Sequence, residues 1–401
     1  MTTLKDIKLA KENIKNIVKV TPFIYSDLLS DKANVYLKKE NLQLTGAYKI
    51  RGAYNKVSSL SLQEKKNGVI AASAGNHAQG VAYASLKLGI NSTIVMPEAT
   101  PLSKVNGTKK LGANIILHGS NYDEAYEYAK TLAKEQGLTF IHPFEDDLVK
   151  AGQGTVALEI LEDCKDVDTV IVPIGGGGLI SGMSIALKSI NPNIRVIGVT
   201  ARGASATRDS YKLGKVVNSK AVKTIADGIA VRCASKINLE TLIKYVDDIV
   251  EVDDEEIASA VLFLLESQKL VVEGGGAVGV AALMHDKFKY KKNENIAIVL
   301  SGGNIDVNML SIIIEKGLSK SYRKMQLLIT LIDKPGSLMY LTELLNTVGA
   351  NITQIGYDRV STRLSYGDAN VSMSLETKGK DHQEEIRKII KENGYSFEEK
   401  Y

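Results

Sequence analysis

The chain has 401 residues, 44% of them hydrophobic and 24% charged, which is typical of a folded protein with two or three domains and excludes a disordered chain. Lys and Arg total 50 against 46 acidic residues, and because the charges are interspersed we expect no nucleic-acid partner. The two cysteines, Cys164 and Cys233, are too few for a disulfide framework or a metal-binding knuckle, so we expect no metal and a reducing compartment.

The order of predicted elements indicates an α/β fold. The N-terminal residues, Met1–Asp6, lack the apolar core of a signal peptide, which favours a cytoplasmic protein. After an amphipathic helix over Leu4–Val18, apolar strands alternate with helices, and this alternation predicts parallel sheets covered on both faces. The predicted strands are Val35–Lys38, Val69–Ala72, Ser92–Met96, Asn114–Leu117, Thr169–Pro173, Arg195–Val199 and Ile296–Leu300. The predicted helices include Tyr122–Glu135, Val156–Asp163 and Glu255–Gln268.

One uncharged run, Thr169–Leu187, approaches the length of a membrane span. Four consecutive glycines, Gly175–Gly178, lie in its middle, where they would break a helix. We therefore predict a buried strand, a turn and a helix from Leu179, and we expect no membrane partner.

Three glycine-containing segments follow predicted strands: Ser73-Ala-Gly-Asn-His77, Gly175-Gly-Gly-Gly-Leu179 and Ser301-Gly-Gly-Asn304. Ligands of parallel sheets bind at the carboxyl ends of strands, where all three segments fall. Backbone N–H groups of the second segment, together with the dipole of the helix that it opens, can hold a phosphate. Upstream, Lys49 is a candidate for a covalent link to a cofactor, although a lysine taken alone is more often a solvated surface residue.

A dinucleotide site is the alternative for the second glycine segment, and it would make the protein an oxidoreductase. That pattern belongs to the first strand of its domain and is followed, about 20 residues on, by an acidic residue. Here the turn lies deep in the chain, and the corresponding downstream segment is Pro192-Asn-Ile-Arg195. The sequence therefore disfavours a dehydrogenase.

The four segments in this order resemble the fold-type II pyridoxal-phosphate enzymes and, among them, the threonine ammonia-lyases (threonine dehydratases). The resemblance extends from about Thr21 to Lys320. The family motif Ser-Phe-Lys-x-Arg-Gly-Ala reads here Ala47-Tyr48-Lys49-Ile50-Arg51-Gly52-Ala53, with Ala47 and Tyr48 in place of the usual serine and phenylalanine. The resemblance implies a two-lobed α/β fold like that of the tryptophan synthase β chain, with a smaller lobe over roughly residues 53–146. It also implies pyridoxal 5'-phosphate as the cofactor, bound between the lobes.

The same resemblance implies roles for individual residues. Lys49 carries the cofactor and acts as the base, with Tyr48 beside it, while Asn76 contacts the 3-hydroxyl of the pyridine ring and Ser301 faces the ring nitrogen. The residues implied in phosphate binding are Gly175, Gly176, Gly177, Gly178 and Leu179. The residues implied in substrate binding are Ser73, Ala74, Gly75, Asn76 and His77, of which His77 is interpreted as a structural histidine at a helix start.

The reaction implied is deamination of L-threonine to 2-oxobutanoate and ammonia, with L-serine as a poorer substrate. Ala74 disfavours racemisation, because related serine racemases carry a serine there and alanine cannot transfer a proton. A serine-preferring dehydratase and a threonine synthase remain alternatives with the same chemistry. A non-catalytic amino-acid sensor is an alternative of another class, which Lys49 disfavours, because a binding protein has no need of a cofactor-carrying lysine. Asp227 resembles a cation-site residue of racemase relatives, but no acidic run accompanies it.

The pattern changes near Ser319–Lys324, which divides the sequence into a catalytic domain, residues 1–320, and a C-terminal domain, residues 325–401. The second part has a predicted β-α-β-β-α-β order. Its predicted strands are Met325–Ile332, Asn351–Arg359, Asn370–Glu376 and Tyr395–Glu398, and its predicted helices are Leu338–Val348 and Gln383–Glu392.

This order resembles the ACT domain, a ferredoxin-like amino-acid sensor. The matching segments are Asp333-Lys-Pro-Gly336 and Gly349-Ala-Asn-Ile352. The residues implied in effector binding are Asp333, Pro335, Gly336, Asn351 and Ile352. We expect a branched-chain amino acid, isoleucine first, as an allosteric effector and a homo-oligomer, dimer or tetramer, although a plain turn entering a helix also accounts for the first segment.

Overall fold

A computed structural model describes residues 1–361 and 364–400. The chain divides into two compact units, residues 1–306 and residues 307–401. The helix Val307–Lys320 thus belongs to the second unit, whereas the sequence pattern assigned it to the catalytic domain.

The first unit contains two sheets. The strands of the larger sheet are β1 (Phe23–Tyr25), β2 (Asn34–Lys38), β7 (Thr169–Pro173), β8 (Arg195–Ala201), β9 (Asp248–Val252) and β10 (Asn295–Val299). The strands of the smaller sheet are β3 (Val69–Ala72), β4 (Ser92–Met96), β5 (Asn114–Leu117) and β6 (Thr139–Phe140). The larger sheet has the order β1-β2-β10-β7-β8-β9 and the smaller one β5-β4-β3-β6. All neighbouring strands are parallel except β1, which runs antiparallel to β2 at the edge.

Most helices of this unit lie between strands of the parallel sheets, as crossover connections require, whereas α1 precedes the first strand. They are α1 (Leu4–Ile14), α2 (Lys49–Ser58), α3 (Leu62–Asn67), α4 (Asn76–Leu88), α5 (Leu102–Lys109), α6 (Tyr122–Gln136), α7 (Asp147–Asp163), α8 (Gly178–Ile190), α9 (Ala206–Leu213), α10 (Lys236–Tyr245), α11 (Asp254–Glu266) and α12 (Gly274–Met284). The α/β class predicted from the sequence is confirmed.

Alternation of side chains along β3 buries both faces of the smaller sheet. Val69 and Ala71 pack with residues of α4, whereas Ile70 and Ala72 pack with residues of α6. Since successive side chains of a strand point to opposite faces, α4 and α6 cover opposite faces of the sheet. The segment 73–77 lies at the carboxyl end of β3 and leads directly into α4.

Close backbone packing explains the elements that the sequence patterns missed. The helix expected over Val156–Asp163 begins at Asp147, because Gly152 and Gly154 are packing positions and do not break it. A Cβ atom on Gly154 would lie 2.7 Å from the carbonyl oxygen of Gly182 in α8. Helix α12 was missed for the same reason, since a Cβ atom on Gly276 would lie 2.5 Å from the carbonyl oxygen of Gly302.

The uncharged run over residues 169–187 folds as predicted. It forms β7, a turn and the first part of α8, all inside the unit. Among the residues that the structure describes, no helix is both long and apolar enough to cross a bilayer.

The second unit contains a four-stranded antiparallel sheet. After the helix α13 (Val307–Lys320), its elements are β11 (Lys324–Ile332), α14 (Ser337–Thr347), β12 (Asn351–Asp358), β13 (Asp368–Glu376), α15 (Lys380–Glu392) and β14 (Ser396–Glu399). The strand order β12-β13-β11-β14 together with the β-α-β-β-α-β sequence is the ferredoxin-like arrangement. Leu341 and Leu345 of α14 and Ile386 and Ile390 of α15 pack with buried side chains of β11 and β13 in one core.

Candidate active site

Backbone pairing holds Lys49 beside the segment that follows β10. The N–H of Tyr48 donates to the carbonyl oxygen of Ser301 at 3.1 Å, and the N–H of Gly303 donates to Gly46 at 2.8 Å. Ala47 and Gly302 form an isolated antiparallel bridge between these two hydrogen bonds. Lys49 then begins α2, so its position is fixed by the end of the central strand β10.

The amine of Lys49 lies in a half-buried position against the segment 142–146. Its Nζ donates to the carbonyl oxygen of Pro143 at 3.1 Å and lies 5.3 Å from the centre of the Tyr48 ring. Burial lowers the pKa of Lys49 to about 8, and the smaller opposing influence of the Glu273 carboxylate does not cancel this effect. A lysine with such a pKa has a larger neutral fraction near physiological pH than an ordinary lysine, and both imine formation and proton abstraction require the neutral amine.

A buried ion-pair network holds the first turns of α2 in place. Arg51 donates to Glu40 at 2.7 Å and to Glu159 at 2.5 Å, and Lys38 contacts Glu159 at 2.6 Å. The two cations balance the two anions, which is what allows four charges to be buried together. Because Arg51 lies two residues after Lys49, the network fixes the first turn of the helix that carries Lys49.

The glycine segment after β7 is packed tightly on Phe144. A Cβ atom on Gly178 would lie 2.9 Å from the Cα of Phe144, and one on Gly176 would overlap the Phe144 ring. Gly177 is the N-cap of α8, with φ of +85°, a conformation that favours glycine. These close contacts exclude side chains at Gly176 and Gly178, and the backbone of Gly177 favours glycine, so the segment needs its glycines for more than a turn.

The peptide groups of this segment are oriented by side chains behind it. Thr207 donates to the carbonyl oxygen of Gly175 at 2.8 Å, and Asn238 donates to that of Gly176 at 2.7 Å. Since the N–H and C=O of a trans peptide point in opposite directions, the N–H groups of Gly176 and Gly177 point away from these partners. The N–H groups of the first turn of α8, which includes Leu179, have no intrahelical acceptor, and no side chain caps them. The N–H groups of Gly176, Gly177 and the first turn of α8 are thus available to bind an anion, and we call this group of donors the anion cradle.

The segment Ser73–His77 joins β3 to α4 and is more open. Ser73, Ala74, Gly75 and Asn76 are half-buried, and a Cβ atom on Gly75 would meet no heavy atom within 4 Å. His77 is only 3% exposed, and its Nε2 lies 2.8 Å from the carbonyl oxygen of Ile141. Burial lowers the pKa of His77 to about 3, so the ring is neutral, as suits a structural histidine.

Asn76 takes part in a hydrogen-bonded cluster that the sequence did not reveal. Its Nδ2 donates to Glu273 Oε1 at 2.7 Å, and its Oδ1 accepts from Asn304 Nδ2 at 2.8 Å. Glu273, which the sequence patterns did not bring into the site, is the N-cap of α12 and accepts the hydrogen bond from Asn76. Its place before three glycines was the one signal in the sequence that could have drawn attention to it.

Ser301 follows β10 and is buried. Its Oγ lies 3.5 Å from the carbonyl oxygen of Gly275, at the limit of a hydrogen bond. Lys49, Asn76 and Ser301 are connected through the backbone pairing at residues 46–48 and the Asn76–Glu273–Asn304 cluster, so the structure brings these predicted residues into one region.

Asp227 forms an ion pair with Lys104, a residue of α5. Among the residues that the structure describes, no group of three or more His, Cys, Asp and Glu side chains could hold a metal ion.

The effector residues predicted in the second unit lie in two separate places. Gly336 is the N-cap of α14 with φ of +88°, and Asp333 accepts from the hydroxyl of Tyr357 at 2.9 Å. Asn351 begins β12 and donates to Glu376 at 2.7 Å, and Ile352 pairs with Leu375. Because β11 and β12 both run antiparallel to β13, Asp333 and Pro335 lie near the end of β12, about 23 Å from Asn351 at its start.

The residues of the first unit fit pyridoxal phosphate. The fit rests on the uncapped anion cradle whose glycines exclude side chains, and on the half-buried amine of Lys49 with its lowered pKa. An amine for the aldehyde and backbone donors for the phosphate are the protein groups that this cofactor needs. The fold and site define a pyridoxal-phosphate-dependent enzyme of fold type II.

Comparison with known proteins leads to the same family. Residues 14–302 match the family model described as "Pyridoxal-phosphate dependent enzyme". The chain belongs to this family, and its cofactor is pyridoxal 5'-phosphate.

Three similar proteins are informative. An L-threonine ammonia-lyase from Thermotoga maritima is 49% identical over 397 residues, which cover 98% of each chain. The solved structure of the processed form of threonine deaminase isoform 2 from Solanum lycopersicum superposes with a TM-score of 0.75 at 38% identity, covering 78% of this chain and 86% of that one. The structure of maize serine racemase has a TM-score of 0.74 at 35% identity, covering 80% of this chain and 99% of that one.

Proposed function

We propose that the protein is an L-threonine ammonia-lyase, which converts L-threonine to 2-oxobutanoate and ammonia and accepts L-serine more weakly. The observation that carries the proposal is Lys49, whose half-buried amine has a pKa near 8 and donates to Pro143, the residue before the Phe144 on which the glycine segment packs. The choice of threonine is supported by the similarity of nearly the whole chain to the Thermotoga maritima ammonia-lyase.

The residues of the site have distinct tasks in this proposal. The N–H groups of Gly175–Leu179 bind the phosphate of the cofactor, and the N–H groups of Ser73–His77 bind the carboxylate of threonine. When bound, pyridoxal phosphate withdraws electrons from the α-carbon of an amino acid. The neutral amine of Lys49 removes the α-proton, after which the β-hydroxyl leaves.

Two further residues face the ring of the cofactor in this proposal. Asn76 donates to the ring hydroxyl, and the Ser301 hydroxyl faces the ring nitrogen. A serine hydroxyl is a weak partner compared with a carboxylate, so it does not hold a proton on the ring nitrogen. That arrangement favours loss of a β-substituent over amino-group transfer.

Serine racemase activity is the second candidate, because the maize serine racemase has nearly the same fold. Racemisation needs a proton donor on the face of the α-carbon opposite the lysine. Ala74 stands in the segment that faces the substrate and has no proton to transfer. We therefore expect negligible formation of D-threonine or D-serine from the L-isomers.

One assay tests the function. The purified chain with pyridoxal phosphate and L-threonine should release 2-oxobutanoate and ammonia in equal amounts, and the remaining threonine should stay L. Lys49→Ala should lose the activity and keep the fold, whereas Lys56→Ala, on the same helix, should keep both. An active Lys49→Ala variant, without added amine, would contradict the mechanism, and D-threonine at a comparable rate would favour a racemase.

We further propose that the second unit is an ACT domain that binds a branched-chain amino acid, isoleucine first. Its ferredoxin-like sheet supports this, since an open turn at Asp333–Gly336 precedes the N-terminus of α14. A helix N-terminus with free N–H groups binds a carboxylate.

The distance between Asp333 and Asn351 within one chain points to a pocket shared by two copies. β12 is an edge strand with exposed Ile355 and Tyr357, and unpaired edges associate with other strands. Antiparallel pairing of β12 with the same strand of a second copy would bring the start of one strand beside the end of the other. The proposal thus includes a homodimer or a larger assembly.

Threonine saturation curves with and without isoleucine or valine test this regulation. Allosteric coupling is typically about 1–3 kcal/mol, so we expect the threonine affinity to change roughly 5- to 150-fold. Gly336→Val should abolish the response and keep the catalytic rate, while Gly394→Val, which has the same kind of backbone at φ of +78°, should keep both. Curves of the unaltered chain that neither amino acid changes would overturn the effector assignment.

A further inference from the structure

Glu273, Asn76 and Asn304 form a closed hydrogen-bonded ring between three segments. Asn76 Nδ2 donates to Glu273 at 2.7 Å, and Asn304 Nδ2 donates to Asn76 Oδ1 at 2.8 Å. The ring is closed by the backbone N–H of Asn304, which also bonds to the Glu273 carboxyl group. Asn76 begins α4, Glu273 precedes α12 and Asn304 follows β10, so the ring joins the smaller sheet to the larger one.

The ring determines the orientation of the Asn76 amide. An amide turned by 180° would set its oxygen against the Glu273 carboxyl oxygen and its nitrogen against the donor of Asn304. Both contacts would be unfavourable, because each would pair two groups of the same hydrogen-bonding type. One N–H of the Asn76 amide donates to the Glu273 carboxyl group. Because the NH₂ group is planar, this bond also fixes the direction of the second N–H.

The backbone around Glu273 makes room for its carboxyl group. A Cβ atom on Gly302 would lie 2.5 Å from Glu273 Oε1, and one on Gly228 would lie 2.9 Å from the same oxygen. The N–H of Glu273 also donates to the carbonyl oxygen of Gly302 at 3.0 Å. A side chain at either glycine would displace the carboxyl group from Asn76.

Burying the Glu273 carboxyl group costs free energy of folding unless hydrogen bonds or nearby positive charges compensate for the lost water. Burial and the nearby carboxylate of Asp227 raise the pKa of Glu273 to about 7, while the hydrogen bonds from Asn76 and Asn304 and the charge of Lys104 lower it. Among the residues that the structure describes, its side-chain hydrogen-bond partner is the Asn76 amide, and a buried acid with so little compensation adds little to stability.

We propose that Glu273 is a positioning residue for the cofactor: with Asn304, it fixes the Asn76 amide so that the free N–H of Asn76 meets the ring hydroxyl. This deepens the proposed function and rests on it for the contact between Asn76 and the cofactor. Glu273 itself does not touch the reacting atoms. It acts by keeping Asn76 in one orientation before the cofactor binds, so that no energy is spent in turning the amide.

The test measures cofactor binding apart from turnover. Removing the Glu273 acceptor leaves the Asn76 amide free to turn, and loss of a hydrogen bond to a charged group corresponds to about 10- to 100-fold in affinity. In a titration followed by absorbance, Glu273→Ala should weaken pyridoxal phosphate binding by that factor and shift the visible band of the bound cofactor. Glu273→Gln, which keeps an acceptor oxygen, should restore most of the affinity.

Two more variants separate positioning from general damage. Asn304→Ala removes the other contact that orients Asn76 and should shift affinity and absorbance in the same direction as Glu273→Ala. Glu294 is another buried glutamate, at the opposite end of β10, where it pairs with Arg195 at 2.9 Å. Glu294→Ala should change stability without changing the absorbance of the bound cofactor.

The inference is overturned if Glu273→Ala and Asn304→Ala both bind pyridoxal phosphate with unaltered affinity and absorbance. If Glu273→Ala does not fold, Asn304→Ala and Glu273→Gln decide the question alone. The cofactor titration needs no threonine. A chain that shows the predicted absorbance changes but releases no 2-oxobutanoate would therefore contradict the proposed function and leave the positioning role intact.

Discussion

The two glycine-containing segments that lead from strand to helix in the first unit differ in how closely they are packed. Around Gly175–Leu179, here called the closed segment, Phe144 and Asn238 fill the space that side chains would occupy. Asn238 also donates hydrogen bonds to the carbonyl oxygens of Gly176 and Phe144. Around Ser73–His77, here called the open segment, a Cβ atom on Gly75 would meet no heavy atom within 4 Å. Glycine therefore serves opposite purposes in the two segments: it permits close packing in one and leaves open space in the other, as the proposed binding of the cofactor phosphate and of the substrate would require.

The largest effect should come from a methyl group in the closed segment. Gly178→Ala sets a Cβ atom 2.9 Å from the Cα of Phe144, so the loop must shift and the anion cradle with it. Overpacking of this kind costs about 1–3 kcal/mol, or roughly 5- to 150-fold in cofactor affinity if the loss falls on binding. A pyridoxal phosphate titration measures it. Gly107→Ala, at a helical glycine with no neighbour within 4 Å, is the matched control and should bind normally.

His77 anchors the open segment, and because burial disfavours the charged ring, protonation of His77 should destabilise the fold in acid. The folded-state pKa of about 3 lies below the ordinary value of 6.5, so the unfolded chain binds the proton first and stability is lost as the pH falls below 6.5. Between pH 7.5 and 5.5 the loss from this group is about 1.4 kcal/mol.

Urea unfolding of the full chain at the two pH values measures that loss. His77→Gln should reduce the acid-induced loss of unfolding free energy by about the same 1.4 kcal/mol. Equal acid sensitivity of the unaltered protein and His77→Gln would mean that the ring of His77 is not held neutral.

A methyl group in the open segment should have the smallest effect. Gly75→Ala adds a Cβ atom to free space, so we expect stability and cofactor affinity within about 0.5 kcal/mol of the unaltered protein. The threonine KM should rise a few-fold, because the methyl group borders the region assigned to the substrate. If Gly75→Ala weakened cofactor binding as much as Gly178→Ala, the distinction between the two segments would be lost.

Strands were the most predictable part of this fold. The bounds of β3, β4, β5 and β7 were predicted to the residue, because each is a short run rich in β-branched and other apolar residues. The short edge strand β1 and the partly buried strand β9 were not predicted. The first helix was expected to reach Val18 but ends at Ile14.

Glycines inside helices limited the prediction. Propensity treats Gly152, Gly154 and Gly276 as helix breakers, yet each lies where two backbones touch, which only a three-dimensional contact reveals. The same holds for Glu273, since its partners Asn76 and Asn304 are distant in sequence. The separation of Asp333 from Asn351 likewise follows from strand direction and not from the motifs.

The central claim is that Lys49, held between the closed segment and the open one, carries the cofactor. Borohydride reduction of the pyridoxal-phosphate-loaded chain, followed by peptide mass analysis, tests it directly. We predict one modified peptide, with the cofactor fixed on Nζ of Lys49. Stoichiometric modification of any other lysine, with Lys49 unmodified in an active enzyme, would contradict the account.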